Sequence, residues 1–188
     1  MSPKTKLAAL LALFILPTLA SFAVFYWFPP ASSANYGTLI VPALPLPKEA
    51  WARIDGQPGE PATALAGRWL LVTRVSGPCA EACRARLHAM KQARLILGRE
   101  QDRVVRVVLA EDGAPPAADV VQAFAGTVWI DARSSAWKTM LPGGGDANVD
   151  RIYGVDPLRN AFIYYGADAD IQRLAKDLKK VLKASQIG

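Results

Sequence analysis

Two cysteines occur in this chain, Cys79 and Cys83, within the run Gly77-Pro78-Cys79-Ala80-Glu81-Ala82-Cys83. Residues four apart on a helix lie one turn apart on the same face, with a Cα separation of about 6 Å that a disulfide accepts. A helix start also favours a thiolate, because unpaired backbone N–H groups and the helix dipole stabilise negative charge there. Two kinds of chemistry suit such a pair. One is thiol–disulfide exchange, with Cys79 as the more exposed, reactive sulfur and Cys83, on the apolar side, as its resolving partner. The other is soft-metal binding, for which two thiolates favour Cu(I) over harder cations. Zinc normally takes four ligands, and the sequence offers no further cysteine and one histidine, His88. A static disulfide is the plain alternative, although a bridge across so short a loop removes little chain entropy.

The remaining candidates read as structure. At about 100° per residue, His88 falls about 140° around the helix from Cys83 and about 180° from Cys79. It faces away from both sulfurs and reads as a surface residue. Met90 shares the cysteine stripe but lies further along it and reads as packing; nothing in the sequence brings Met140 to the pair. With one histidine and no nucleophile elbow, a Ser/His/Asp hydrolase site has no parts. Gly143-Gly144-Gly145 lacks the Lys-Ser/Thr of a phosphate loop and reads as a flexible connection.

The elements that must position the cysteines follow from periodicity. Trp69-Leu70-Leu71-Val72-Thr73 is an apolar run of buried-strand type, broken by Ser76-Gly77-Pro78. A helix fits from Glu81 to Leu97, closed by Gly98, with Cys83, Leu87, Met90 and Leu97 on one stripe. Arg84 and Lys91 lie away from that stripe, and Arg94 interrupts it near its end, where a long side chain snorkels outward. Val104–Leu109 reads as a second core strand, Asp112 to Pro116 as a loop, Ala117–Phe124 as a short helix and Thr127–Ile130 as another strand. Ser134 is expected to cap a short helix through Leu141, followed by a loop at Pro142–Gly145. Arg151–Val155 and Ala161–Tyr165 flank Asp156–Asn160 as an antiparallel hairpin. Asp168 is expected to cap a terminal helix on which Ile171, Leu174, Ala175, Leu178, Val181 and Leu182 repeat. Asp170 in its first turn and Lys179, Lys180 and Lys183 near its end suit the helix dipole. Strand, cysteine-bearing helix, strand, helical region, hairpin and helix make an α/β chain of thioredoxin-like architecture.

From Leu7 to Phe28 the chain carries no charge. A helix of about 22 residues spans about 33 Å, enough to cross a bilayer core. Phe25-Tyr26-Trp27-Phe28 suits an interfacial aromatic belt, and Lys4 and Lys6 before the span predict a cytoplasmic N-terminus with the rest exported. A cleaved signal with Ala31-Ser32-Ser33-Ala34 as its small-residue site competes, but the apolar stretch exceeds the usual h-region of about 7–15 residues. The expected division is a short cytoplasmic N-terminus (1–6), a transmembrane anchor (7–28), a Pro/Ser/Ala-rich tether (29–50) and an exported domain (51–188). In a bacterial cell this places the domain on the periplasmic side of the inner membrane, single-pass, in an oxidising compartment. Leu39–Val41 within the tether, and Trp51–Ile54 before Asp55-Gly56, are expected as short strands, and Gln57–Pro61 as a loop. Lysine and arginine number 22 against 16 acidic residues. That excess suits a solvated surface, an anionic lipid or an acidic partner. Without a dense basic cluster or aromatic-rich face it argues against nucleic acid.

A membrane anchor, then Asn35-Tyr36-Gly37, then Gly67-Arg68-Trp69 opening a core strand, Cys-x3-Cys at the next helix and Val155-Asp156-Pro157 at the hairpin together resemble the Sco/SenC family. The resemblance implies a membrane-anchored thioredoxin-fold protein that helps mature the copper centre of cytochrome c oxidase, binding copper through two cysteines and a distant histidine. Cys79 and Cys83 match the thiolate pair. The histidine does not carry over, since Asn148, Val149, Asp150 and Arg151 stand where it is expected, and Ala80 replaces the proline that often follows the first cysteine. The implied partner is an oxidase subunit or another assembly factor. The candidate site residues are Cys79 and Cys83, either as a redox pair or as a two-sulfur Cu(I) site.

Overall fold

Trp69–Val75 form the strand that the apolar run predicts, and all seven of its residues are buried. In the computed structural model the described residues are 2–27, 35–47, 51–56, 65–134, 151–185 and 187. The chain divides into two units, residues 1–34 and 35–188.

The first unit contains one helix, α1 (Pro3–Trp27), with Pro17 inside it. It is long and apolar enough to cross a membrane. The helix begins before Leu7 and so includes Lys4 and Lys6. Phe28 and Ala31–Ala34 lie outside the described residues.

The second unit is built on one sheet. Its strands are β1 (Thr38–Pro45), β2 (Trp69–Val75), β3 (Val104–Ala110), β4 (Thr127–Asp131), β5 (Ile152–Val155) and β6 (Asn160–Tyr165), in the order β1-β6-β5-β2-β3-β4. β2 pairs parallel to β3, and β3 parallel to β4. β5 runs antiparallel to both β2 and β6, and β1 antiparallel to β6. The helices α2 (Glu81–Ile96), α3 (Ala118–Ala123) and α4 (Ile171–Ala184) complete the fold, with a 3-10 turn at Gly98–Arg103. This is the thioredoxin-like α/β arrangement expected from the order of elements.

Alternation on the strands creates two apolar faces. One gathers Leu71 and Val75 of β2 and Val104 and Val108 of β3 under Leu87, Met90 and Ala93 of α2 and Leu174, Leu178 and Leu182 of α4. The other gathers Leu70, Val72, Val107, Leu109 and Ile130 under Leu46, Trp51 and Leu65. Each fully buried leucine contributes about 1.5–3 kcal/mol, so the two helix stripes read from the sequence are what hold α2 and α4 on the sheet.

Several expectations are corrected. Leu39–Val41 belong to an eight-residue edge strand, and the compact unit begins at Asn35, so part of the expected tether is in the sheet. Trp51–Ile54 form no strand of their own; Arg53 makes a single bridge to Ile130. Ile54 N–H donates to Trp129 O (3.0 Å), Asp131 N–H to Ala52 O (2.8 Å) and Trp129 N–H to Asp55 Oδ2 (3.2 Å). This segment satisfies the free edge of β4, which would otherwise expose unpaired backbone groups. The cap of α4 is Asp170, whose carboxylate accepts from Arg173 N–H at 2.8 Å, and not Asp168. Arg94 does not snorkel free: its Nε donates to Val104 O at 2.8 Å. The helix expected after Ser134, the Pro142–Gly145 loop and the Gln57–Pro61 loop lie outside the described residues.

Buried charges, Asp177 and Arg106 among them, were not foreseen. Asp177, 4% exposed, accepts from the backbone N–H groups of Tyr36 (2.7 Å) and Gly37 (3.0 Å) and so fastens the start of the domain to α4. A Cβ at Gly37 would come within 2.6 Å of the Tyr165 ring, so only glycine allows this approach. Arg106 lies buried on β3, donating through Nη2 to Ala125 O (2.6 Å). Burial, then repulsion from Arg94, lowers its pKa to about 10.

Asp177→Ala leaves the N–H donors of Tyr36 and Gly37 without their charged acceptor. It is expected to lower the unfolding free energy by about 2–3 kcal/mol, read from the denaturant midpoint by tryptophan fluorescence in mild detergent; an unchanged midpoint would remove Asp177 from this role.

Candidate functional site

The C-terminal end of β2 delivers the chain to the cysteines. After Val75 the backbone turns through Gly77, whose φ of +79° suits glycine, and Ala80 N–H donates to Pro78 O at 2.8 Å. α2 then starts, and Arg84 N–H donates to Ala80 O at 3.0 Å. Ala80 occupies the N-cap and supplies no side-chain hydrogen bond. The first turn therefore keeps backbone N–H groups directed at the loop that carries Cys79.

Cys79 and Cys83 are joined by a disulfide, with their Cα atoms 5.1 Å apart. Cys79 is not on the helix but one residue before its cap, so the pair bridges loop to first turn and does not lie along one helical face. The two sulfurs differ in surroundings. Cys83 is 4% exposed and belongs to the core beneath α2, whereas Cys79 is half-buried at its margin. Cys79 is thus the more exposed sulfur of the two, the order of exposure expected from the apolar stripe.

A set of polar side chains holds the support of the loop. Arg86, on α2 one turn beyond Cys83, is buried and donates through Nε to Thr73 Oγ1 (3.1 Å) and through Nη2 to Arg74 O (3.3 Å). Thr73 Oγ1 in turn donates to Arg151 O (3.0 Å). Arg74 pairs with Glu111, and Glu111 N–H donates to Val75 O at 2.9 Å, tying the ends of β2 and β3 together. On the outer side, Arg84 pairs with Asp119 of α3 at 2.7 Å and holds its carboxyl below the usual range. Arg74, Arg86, Glu111 and Asp119 were not singled out from the sequence. The available signal was Arg86, a charged residue at a buried position of an apolar helix stripe, three residues after a cysteine.

The other candidates fall away from the pair. His88 is exposed and borders a hollow with Gln92, Ile96 and Asp170, between α2 and the start of α4. Met90 is fully buried in the core. Met140 lies outside the described residues, as do Asn148, Val149 and Asp150. Arg151, the last of the residues standing where the resemblance places a histidine, sets its guanidinium 4.3 Å over the Tyr164 ring. Among the described residues no three His, Cys, Asp or Glu side chains gather as a metal site. The site can thus exchange a disulfide, and when reduced it offers two soft sulfur donors.

A family model described as transmembrane-like, thioredoxin-like, C-terminal domain matches residues 69–185. Among solved structures, apo Sco1 from Thermus thermophilus is 20% identical with a TM-score of 0.58, over 80% of this chain and 99% of that one. A SCO1/SenC family lipoprotein from Bacillus anthracis is 14% identical with a TM-score of 0.54, over 73% and 94%. Arabidopsis thaliana ScoI with copper bound is 18% identical with a TM-score of 0.53, over 79% and 99%. No curated protein matches the chain. The chain belongs to the family of transmembrane-like proteins with a thioredoxin-like C-terminal domain, and its fold is the one shared by Sco proteins.

Proposed function

We propose that this protein is a membrane-anchored thiol–disulfide protein that assists maturation of the copper centre of cytochrome c oxidase. α1 anchors it in the cell inner membrane, and the exported domain works on the periplasmic side through Cys79 and Cys83. The observation that carries this reading is the disulfide between a half-buried sulfur and a core sulfur at the start of α2. The Sco resemblance supplies the oxidase, and a subunit or assembly factor of that enzyme is the partner.

In the reduced form, the Cys79 thiolate attacks one sulfur of a partner disulfide, forms a mixed disulfide and releases the first partner thiolate. The Cys83 thiolate then attacks Cys79 Sγ, breaking the mixed disulfide and releasing the second partner thiolate. Two electrons pass to the partner, whose copper ligands become reduced, and the Cys79–Cys83 disulfide forms. A dithiol reductant on the same side of the membrane regenerates the pair. The uncapped first turn of α2 favours the thiolate in each attack.

Copper delivery is the second reading, and the donor set favours it only in part. Two thiolates suit Cu(I), and Arabidopsis ScoI carries copper on a similar fold. In this chain the single histidine, His88, is exposed beside the start of α4. A third ligand would come from a partner or from solvent. Cu(I) titration of the reduced chain against a competing chelator separates the readings: weak uptake fits the thiol function, and tight one-to-one uptake would replace it with the chaperone.

The two cysteines should behave unequally. A chain keeping Cys79 alone (Cys83→Ser) should form a mixed disulfide with glutathione disulfide on the order of tenfold faster than one keeping Cys83 alone (Cys79→Ser), because exposure and thiolate fraction set the rate. Equal rates would contradict the assigned roles. Both variants should fail to restore oxidase activity in cells lacking the protein, and full restoration by either would reduce the bridge to a structural link.

A further inference from the structure

We propose that the exposed face of α4 rests on anionic lipid headgroups, a second membrane contact in addition to the α1 anchor. The proposal depends on α1 being the anchor and is independent of the thiol chemistry.

Toward solvent, α4 presents one sign of charge. Arg173, Lys176, Lys179, Lys180 and Lys183 are all exposed. The one carboxylate within the helix, Asp177, is turned inward, where it holds the Tyr36 and Gly37 N–H groups and accepts Lys180 at 3.4 Å. Lys176, Lys179 and Lys183 make no ion pair among the described residues. The acidic groups nearest in sequence, Asp168 and Asp170, precede the first turn, and Asp170 is engaged in capping it. Between α2 and α4 lies an open hollow of about 310 Å³ lined by Ile96, Gln172, Arg173, Lys176 and Lys179. Three cations and an amide beside one apolar side chain are the donors that a headgroup phosphodiester accepts from.

The occupant follows from where the chain joins the domain. Besides the bonds to Asp177, Tyr36 accepts at its hydroxyl from Asp170 N–H (3.0 Å), and Arg173 lies 4.1 Å over its ring. The segment arriving from α1 is therefore fastened to the N-terminal half of this same helix. Nine peptide units separate Trp27, the last residue of α1, from Tyr36. Fully extended they reach at most about 32 Å. The chain linking the end of α1 to Tyr36 is therefore nine peptide units long, and an anionic leaflet attracts lysine and arginine that come within reach of it.

The test uses the full chain in lipid nanodiscs, of phosphatidylcholine alone and of phosphatidylcholine with phosphatidylglycerol. Recovery of the chain with both discs reports the anchor. Acetylation of lysines by an N-hydroxysuccinimide ester, read by mass spectrometry, then reports the face. Lys176, Lys179 and Lys183 are expected to react several-fold more slowly on the anionic discs, with Lys91 of α2 unchanged. The protection should vanish at about 1 M salt, where the Debye length falls to about 3 Å. The double substitution Lys176→Glu with Lys183→Glu should abolish the protection of Lys179. Equal rates for the α4 lysines on the two discs would overturn the proposal and leave the face to an acidic protein surface; protection of Lys179 that survives the double substitution would also overturn it.

Discussion

The burial of β2 on both faces is the constraint on which the site depends. Its backbone pairs with β3 on one side and β5 on the other, and its side chains feed both apolar clusters. A strand held this way cannot shift by one residue without moving every side chain to the opposite face. Its C-terminal end is consequently a fixed point, and in open α/β sheets the loops beyond such ends are where chemistry is placed. α2 supplies the second fixed point, because Cys83 continues the stripe of Leu87, Met90 and Ala93 into the core. Only the short turn from Ser76 to Ala80 lies between them. Cys83 is thereby set by core packing and Cys79 by a loop, and the chemical inequality of the two sulfurs follows from the fold.

Polar side chains do the remaining fastening. Asp177 holds the first residues of the domain, Arg86 holds Thr73 Oγ1 and Arg74 O near the C-terminal end of β2, and Arg103 donates to Leu182 O (3.1 Å) and Ser185 O (2.9 Å), satisfying carbonyls at the end of α4. Each meets backbone groups that would otherwise be left without a partner. The motif Asn35-Tyr36-Gly37 gains a physical reason from this. Tyr36 binds α4 through its backbone, hydroxyl and ring, and Gly37 leaves room for Tyr165. The hairpin motif has one too. The Asp156 carboxylate accepts from Asn160 N–H (2.7 Å) across the turn that joins β5 to β6.

Much of this arrangement was legible because it rests on periodicity. The stripes of α2 and α4, the β-branched runs of β2 and β3, and the hairpin around Asp156 are local patterns, and each became the element it predicts. The disulfide partner was legible because the chain has only two cysteines. What escaped were relations between distant residues. Arg86, Arg106 and Asp177 are charged, and a local pattern assigns such residues to the surface; each is buried because a backbone group far away in sequence comes to meet it. Trp51–Ile54 has strand composition, yet it supplies only one bridge because its role is to close the edge of β4. Asp168 and Asp170 are equally good caps by composition, and the choice between them is set by Tyr36, which reaches the Asp170 N–H from elsewhere in the chain.

As proposed, the Cys79–Cys83 bridge is a working redox pair and not a permanent link. Its reduction potential, measured on the full chain in detergent by equilibration with glutathione and dithiothreitol buffers, tests this most directly. A working pair exchanges two electrons reversibly at a potential between about −270 and −180 mV, the range of thiol–disulfide exchange proteins. A bridge that stays oxidised to potentials below about −300 mV, as structural disulfides do, would contradict it.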